Sequence, residues 1–274
     1  MSLESSVEDA FNIRDYIMDN VFDDNRPFDI VDTAIISLFS SIASKAEAIS
    51  ILNKNKKISE IGLILRPFLE QYLYLEFILE KNTNKRAQAY FYNQRYGSLK
   101  KYKSYIKNAK DEKTKKEIEE KLNNTFYAKS LSGRKTIEED FEYFKEKYIN
   151  TFPDPSKSEQ RKNWFNVELN GIYKFTDLVE YLGEEDLYWG LYNPMTYDTH
   201  GLSAPSDIYI EKKNDQTFVN VGSIDSKSTH VLVQSLLNEI ILNVLKYYGL
   251  LNNKKLQGII LKIKINANSR VNGK

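Results

Sequence analysis

The sequence predicts an all-α fold, a multi-helix bundle carrying a charged helical extension and one small β-hairpin. Three observations predict it. Apolar residues recur in alternating steps of three and four over long stretches, the period of a helix face that packs on other helices. Only 11 Gly and 6 Pro occur in 274 residues, too few for the many turns of a β architecture and well suited to long helices. Hydrophobic and charged fractions of 41% and 28% are those of an ordinary globular chain with a core to bury. Residues 1–274 are read as a single helical domain in which residues 108–162 form a charged helical insertion and linker.

The elements follow in order. Residues 11–22 form a short amphipathic segment, and Asp23-Asp24-Asn25-Arg26-Pro27 supplies turn chemistry, with Pro27 placed to open the next helix. Val31, Ala34, Ile35, Leu38, Ile42, Ala46 and Ile49 then define one buried stripe, ended by the polar run 53–57. Ile58, Ile61, Leu65, Phe68, Tyr72, Leu75 and Leu79 trace a second seam, interrupted by Pro67, which removes a backbone donor and should kink the helix. Ala87, Phe91, Ser98, Tyr102 and Ile106 place a third helix over residues 85–107. The charged run 111–121 cannot bury a face and reads as a solvated helix. Thr136-Ile137-Glu138-Glu139 is a capping box, and Ile137, Phe141, Phe144 and Tyr148 follow on one side. Residues 151–162, with Pro153 and Pro155, form the clearest linker. Short helices are expected over 176–182, stopped by Gly183, and over 184–192, stopped by Pro194. Residues 208–221 alternate as a hairpin would, a loop being the alternative. Val233, Leu236, Leu237, Ile240, Val244 and Leu245 mark a strong late helix, and residues 256–265 fit a last one better than a strand.

Composition excludes several functions. With 39 Lys and Arg against 38 Asp and Glu the net charge is +1, so no global field draws in nucleic acid or an anionic membrane, and any such binding needs a local patch. The lysines between Lys100 and Lys116 could neutralise phosphates and the 19 tyrosines could stack on bases. Tyrosines at helical spacing are more often core or boundary residues and mixed Lys/Glu runs are usually solvated faces, so a nucleic-acid function is permitted by these residues and not indicated by them. The absence of cysteine removes disulfides and thiolate chemistry. No basic segment leads into an apolar one at the start, and no run approaches the roughly 18 apolar residues of a membrane span. A cytoplasmic location is expected. Neither a P-loop nor a dinucleotide fingerprint occurs, and two histidines with no cysteine leave zinc without a ligand set. No metal and no cofactor is expected.

The candidate site residues come from what remains. His200, in Tyr197-Asp198-Thr199-His200-Gly201, has the one side chain type that titrates near neutrality and can act as general acid or base. A histidine bonded to backbone or tyrosine hydroxyls to hold a turn is the alternative. His230, in Ser228-Thr229-His230, reads as a helix-start residue. Arg66 and Glu70 stand one turn apart within an apolar helix beside Pro67. Charges in such a place are costly unless paired, or they lie on its solvent flank as an ordinary helix pair.

Arg66-Pro67-Phe68-Leu69-Glu70-Gln71-Tyr72, Asn163-Trp164-Phe165, and Tyr188 through His200 before a late apolar helix resemble a bacterial helical family described only as a domain of unknown function. An early Arg-x-x-x-Glu and a late Tyr-Arg-x-x-Ser-x-x-x-His recur in that family, and the resemblance spans roughly residues 30 to 250. The arrangement is also similar to nucleotide-binding helical bundles of prokaryotes and higher eukaryotes, many of them metal-independent ribonucleases of toxin and phage-defence systems. What that implies is an active site in which His200 matches the histidine, Thr196 replaces a serine and Asn193 stands where an arginine belongs. Asparagine supplies no positive charge to a phosphorane-like transition state, so Arg66 would have to supply it from another helix.

Two functional readings result. In the first, Arg66, Glu70 and His200 are the catalytic candidates and Tyr192, Asn193 and Thr196 the binding ones, in a pocket that recognises or cuts a nucleotide-containing, RNA-type ligand. In the second, the protein is a non-catalytic interaction or dimerisation module, with a homodimer as partner and the Arg66 and Glu70 charges tied to the kink.

Overall fold

Ser2 caps the first helix: its hydroxyl accepts from the Ser5 amide, and α1 (Leu3–Asn20) runs from there, earlier than the apolar pattern suggests. Leu3, Val7, Ala10, Ile13 and Ile17 are buried, but Ser6 and Asp9 are buried among them and interrupt the apolar signal. The computed structural model describes residues 2–57, 60–124, 136–152, 163–192, 208–213, 216–221 and 226–271. Its regular elements are helices apart from one two-stranded hairpin, so the fold is all-α. The chain divides into two compact units, Met1–Lys81 with Val179–Lys274, and Asn82–Leu178.

In the first unit α2 (Ile30–Lys54) opens on Asp29, not at Pro27. Asp29 accepts from the Asp32 amide while Asp32 accepts from the Asp29 amide, so two donors are satisfied at once. A proline at the first position would only remove one. The predicted stripe from Val31 to Ile49 is buried throughout. Each fully buried side chain such as Ile35 or Ile42 contributes on the order of 1.5–3 kcal/mol. An 18-residue window of α2 has a mean hydropathy of 1.5. By length and composition this helix could cross a membrane, which corrects the expectation that no run comes near that threshold; half of the window is buried in the core.

α3 (Ile61–Glu80) carries Pro67 in its interior and buries Ile61, Leu65, Phe68, Tyr72 and Leu75; Ile58 lies outside the described residues. α2 packs on α1, α3 and the late helix α8 (Ser226–Tyr247). α8 buries Val233, Leu237, Ile240, Val244 and Leu245 against α1, α2 and α3. Two polar links join α3 to α8: Tyr72 Oη donates to Glu239 at 3.1 Å and Asn243 Nδ2 to Glu76 at 2.7 Å. Their pairing advances in the same direction on both helices, so the two run parallel. The C-terminal segment is helical, α9 (Gln257–Val271), and Lys262 pairs with Asp9 of α1. β1 (Ile208–Lys213) and β2 (Gln216–Val221) pair antiparallel with Ile208 opposite Val221.

The second unit is built on α4 (Thr83–Lys107), α5 (Glu112–Asn124) and α6 (Ile137–Asn150). Thr136 accepts from the Glu139 amide as the capping box requires. α4 buries Arg86 and Arg95 beside Ala87, Ala89, Tyr92 and Leu99, whereas Phe91, Ser98, Tyr102 and Ile106 lie on its half-buried flank. Arg95 meets Asp140 of α6 at 3.6 Å with both side chains buried. Arg86 forks onto Glu168 at 2.7 and 3.1 Å, just after the 3-10 turn Trp164–Asn166. Along the chain α7 (Phe175–Leu182) follows, ending at Gly183, whose φ of +72° suits a residue without Cβ. The linker prolines Pro153 and Pro155 lie outside the described residues.

Candidate functional site

Beyond Gly183 the chain makes one helical turn, Glu185–Leu187, and widens into a π-helical stretch, Tyr188–Tyr192. These residues run back along α3. Tyr181 packs its ring edge-on against Phe77 and donates to Glu80 at 2.8 Å, near the C-terminal end of α3. Tyr192 reaches Arg66 and Glu70, near its N-terminal end. The segment therefore lies antiparallel to α3, and Arg66 and Glu70, one turn apart, face the same partner.

Three side chains meet there. Tyr192 Oη donates to Glu70 Oε1 at 2.5 Å, a short charge-assisted bond, and accepts from Arg66 Nη2 at 3.1 Å. Arg66 Nε also approaches Glu70 Oε1, at 3.4 Å, and the guanidinium carbon lies 4.8 Å from the Tyr192 ring centroid. Burial, with the bond to Glu70 adding to it, pushes the Tyr192 phenol up to about 12, so it holds its proton at neutral pH. Burial works against the charge of Arg66, but the bond to Tyr192 and the charge of Glu70 outweigh it and its pKa rises. The cluster is anchored without being sealed: the Arg66 and Glu70 side chains remain 22% and 30% exposed. Tyr188 stacks on Tyr192 with centroids 5.2 Å apart, and Trp189, edge-on to Tyr188, is 63% exposed.

Of the residues singled out in the sequence, Arg66, Glu70 and Tyr192 come together. Asn193, Thr196 and His200 follow Tyr192 directly in the chain and lie outside the described residues. His230 sits in α8, where its Nδ1 accepts from Asn53 Nδ2 of α2 at 3.1 Å. Sequence reasoning missed Tyr188 and Trp189, whose spacing reads as an ordinary short helix. It also missed the carboxylates along α3 and α8. Burial pushes Glu76 up to about 7 even though Asn243 donates to it, and the charges of Glu239 and Glu184 act in the same direction as burial. The available signal was Glu76 one turn beyond the seam residue Tyr72. Among the described residues no group of three or more His, Asp or Glu side chains is placed to hold a metal ion.

Fold and cluster together define a helical bundle with a polar, partly open cluster in which an arginine and a glutamate of α3 meet a tyrosine of the π-helical stretch. The chain belongs to a family of unknown function, DUF5677, whose model matches residues 32–217. That span contains α2 from its third residue, α3, the second unit, and Arg66, Glu70, Tyr192, Asn193, Thr196 and His200. No curated protein and no solved structure matches the chain.

Proposed function

We propose that the α3 cluster recognises a nucleotide-containing ligand, in the first instance a nucleotide of an RNA strand, and that His200 can add cleavage to recognition. The observation that carries this reading is the Arg66 guanidinium, held over Tyr192 and still partly open, beside stacked Tyr188 and exposed Trp189. A guanidinium offers forked donors to a phosphate, and flat aromatic faces accept a base by stacking. A bound phosphate would compete with Glu70 for Arg66, while the Tyr192 phenol remains a donor. Asn193 and Thr196, which follow Tyr192 in the sequence, are the further binding residues of this reading. In cleavage, His200 would take the proton of a ribose hydroxyl as its oxygen attacks the adjacent phosphorus to give a cyclic phosphodiester, and the next ribose oxygen would leave with a proton from water, with Arg66 offsetting the added negative charge. A role in a toxin or phage-defence system belongs to the same reading.

The test is calorimetric titration of the full chain with AMP and UMP, followed by incubation with single-stranded RNA in the presence of a chelator. Arg66→Ala should weaken nucleotide binding about tenfold or more, the loss expected for a charged hydrogen-bond donor. His200→Ala should leave binding intact and slow any cleavage by about 100-fold or more. No heat with any nucleotide would sink the reading; binding without cleavage would reduce it to recognition.

The second reading, a dimerisation or interaction module, draws support from Leu261 and Ile265. They stand one turn apart on α9 at 58% and 60% exposure. Sedimentation of the wild type and of the Leu261→Lys, Ile265→Lys double variant separates the two: dimer in the first and monomer in the second is the result this reading expects.

A further inference from the structure

A chain of net charge +1 concentrates positive charge in one place: residues 100–116 hold eight lysines against two carboxylates. The structure puts part of this surplus on one open helix face. At the C-terminal end of α4, Lys100, Ser104 and Lys107 form one row, and Lys101, Tyr105 and Asn108 form the row beside it, each at steps of four and three. All six are exposed, Tyr105 to 63%. The carboxylates nearest in sequence or packing are engaged elsewhere. Asp111 accepts from the Thr114 amide at 2.7 Å and starts α5, Glu112 pairs with Lys115 at 3.5 Å, and Glu138 of α6 pairs with Lys103 at 2.8 Å. Among the described residues no ion pair holds Lys100, Lys101 or Lys107. The adjoining groove between α4, α5 and α6, of about 700 Å³, has four carboxylates and four lysines in its lining, Lys107 at its edge among them, so the charge with no carboxylate beside it is that of Lys100 and Lys101 on the open face.

We infer that this face of α4 binds the backbone of a single-stranded nucleic acid, with Lys100, Lys101 and Lys107 on phosphates and Tyr105 stacked on an unpaired base. A lysine-rich helix face is ordinarily just solvated. What distinguishes this one is a protruding aromatic ring within a cation row that has no carboxylate of its own, the pairing that strand-binding surfaces use. An anionic membrane would be met by the same lysines, but the face carries no aliphatic side chain to enter the lipid. The surface is separate from the Arg66 cluster and stands or falls without it: here the ligand is a strand, held mainly by charge.

The test is fluorescence anisotropy of a labelled single-stranded uridine 20-mer with the full chain, repeated at several salt concentrations. Three phosphate contacts predict an affinity that falls about 20-fold between 50 and 200 mM NaCl. Lys100→Glu with Lys101→Glu and Lys107→Glu, all exposed positions, should weaken binding at least about tenfold and flatten the salt dependence. Tyr105→Ala should weaken it about fivefold or more with the salt dependence unchanged. AMP binding at the Arg66 site, measured in parallel, should be the same in all these variants, so loss of one activity does not imply loss of the other. The inference is overturned if the wild type does not bind the strand, if the lysine variants bind it as well as the wild type, or if phosphatidylserine vesicles are bound in preference to the strand.

Discussion

Tyr192 links the two charges of α3. Its hydroxyl donates to one and accepts from the other, so Tyr192→Phe keeps the stacking on Tyr188 and removes both bonds. The expected cost is about 1–2 kcal/mol by urea unfolding, because Glu70 loses a donor in a half-buried place. An unchanged midpoint would mean that water replaces the phenol freely. Glu76 offers a pH-resolved test. Its pKa is raised from an ordinary 4.5 to about 7, so the fold prefers the protonated form. That contribution is fully present below the ordinary carboxylate pKa and is lost as pH rises through about 7. Glu76→Gln fixes the neutral form and keeps an acceptor for Asn243. The variant should be more stable than the wild type by about 2 kcal/mol at pH 8, and the gain should shrink toward zero near pH 4.5. Arg66 and Glu70 were legible as an i, i+4 pair within an apolar run. From sequence Tyr192 is grouped with them in one pocket, but that its hydroxyl bonds both charges was not legible, since 122 residues separate it from Glu70 and no local period connects them.

At the scale of elements, the apolar stripes of α2 and α8 were legible because the positions that trace them are aliphatic or alanine, the pattern a 3.6-residue period detects most easily. Asp32 and Ser50 of α2 and Thr229, Gln234 and Asn238 of α8 are buried as well and carry no such signal. α4 shows where this fails. Its buried face includes Arg86 and Arg95, which a hydrophobic pattern counts as surface, so all of the predicted stripe except Ala87 fell on the flank. Those charges are tolerated because Glu168 and Asp140 meet them. Arg95→Met should therefore cost about 3–5 kcal/mol by stranding Asp140, and Arg95→Met with Asp140→Leu should recover much of the loss. A double variant no more stable than the single would contradict the pairing. The start of α2 depends on Asp29 rather than on Pro27: Asp29→Ala should cost about 1 kcal/mol, read as a shift in the urea midpoint.

For the whole molecule, composition was informative about what the chemistry cannot be and silent about where the remaining charge is spent. A net charge of +1 conceals both the lysine surplus of residues 100–116 and the acidic cluster of Glu76, Glu184 and Glu239, because opposite excesses cancel in a sum. The helical class and the family are in hand, while the proposed act depends on whether the open aromatic surface beside Arg66 receives a base. Trp189 reports on that directly. The only other tryptophan in the sequence, Trp164, is buried against Tyr90 and supplies a steady background. Titrating the full chain with AMP while following tryptophan emission should give a saturable quench that is absent in Trp189→Phe and shifted about tenfold or more to higher concentration in Arg66→Ala. A wild-type emission unmoved by AMP, UMP and short RNA alike would contradict the account.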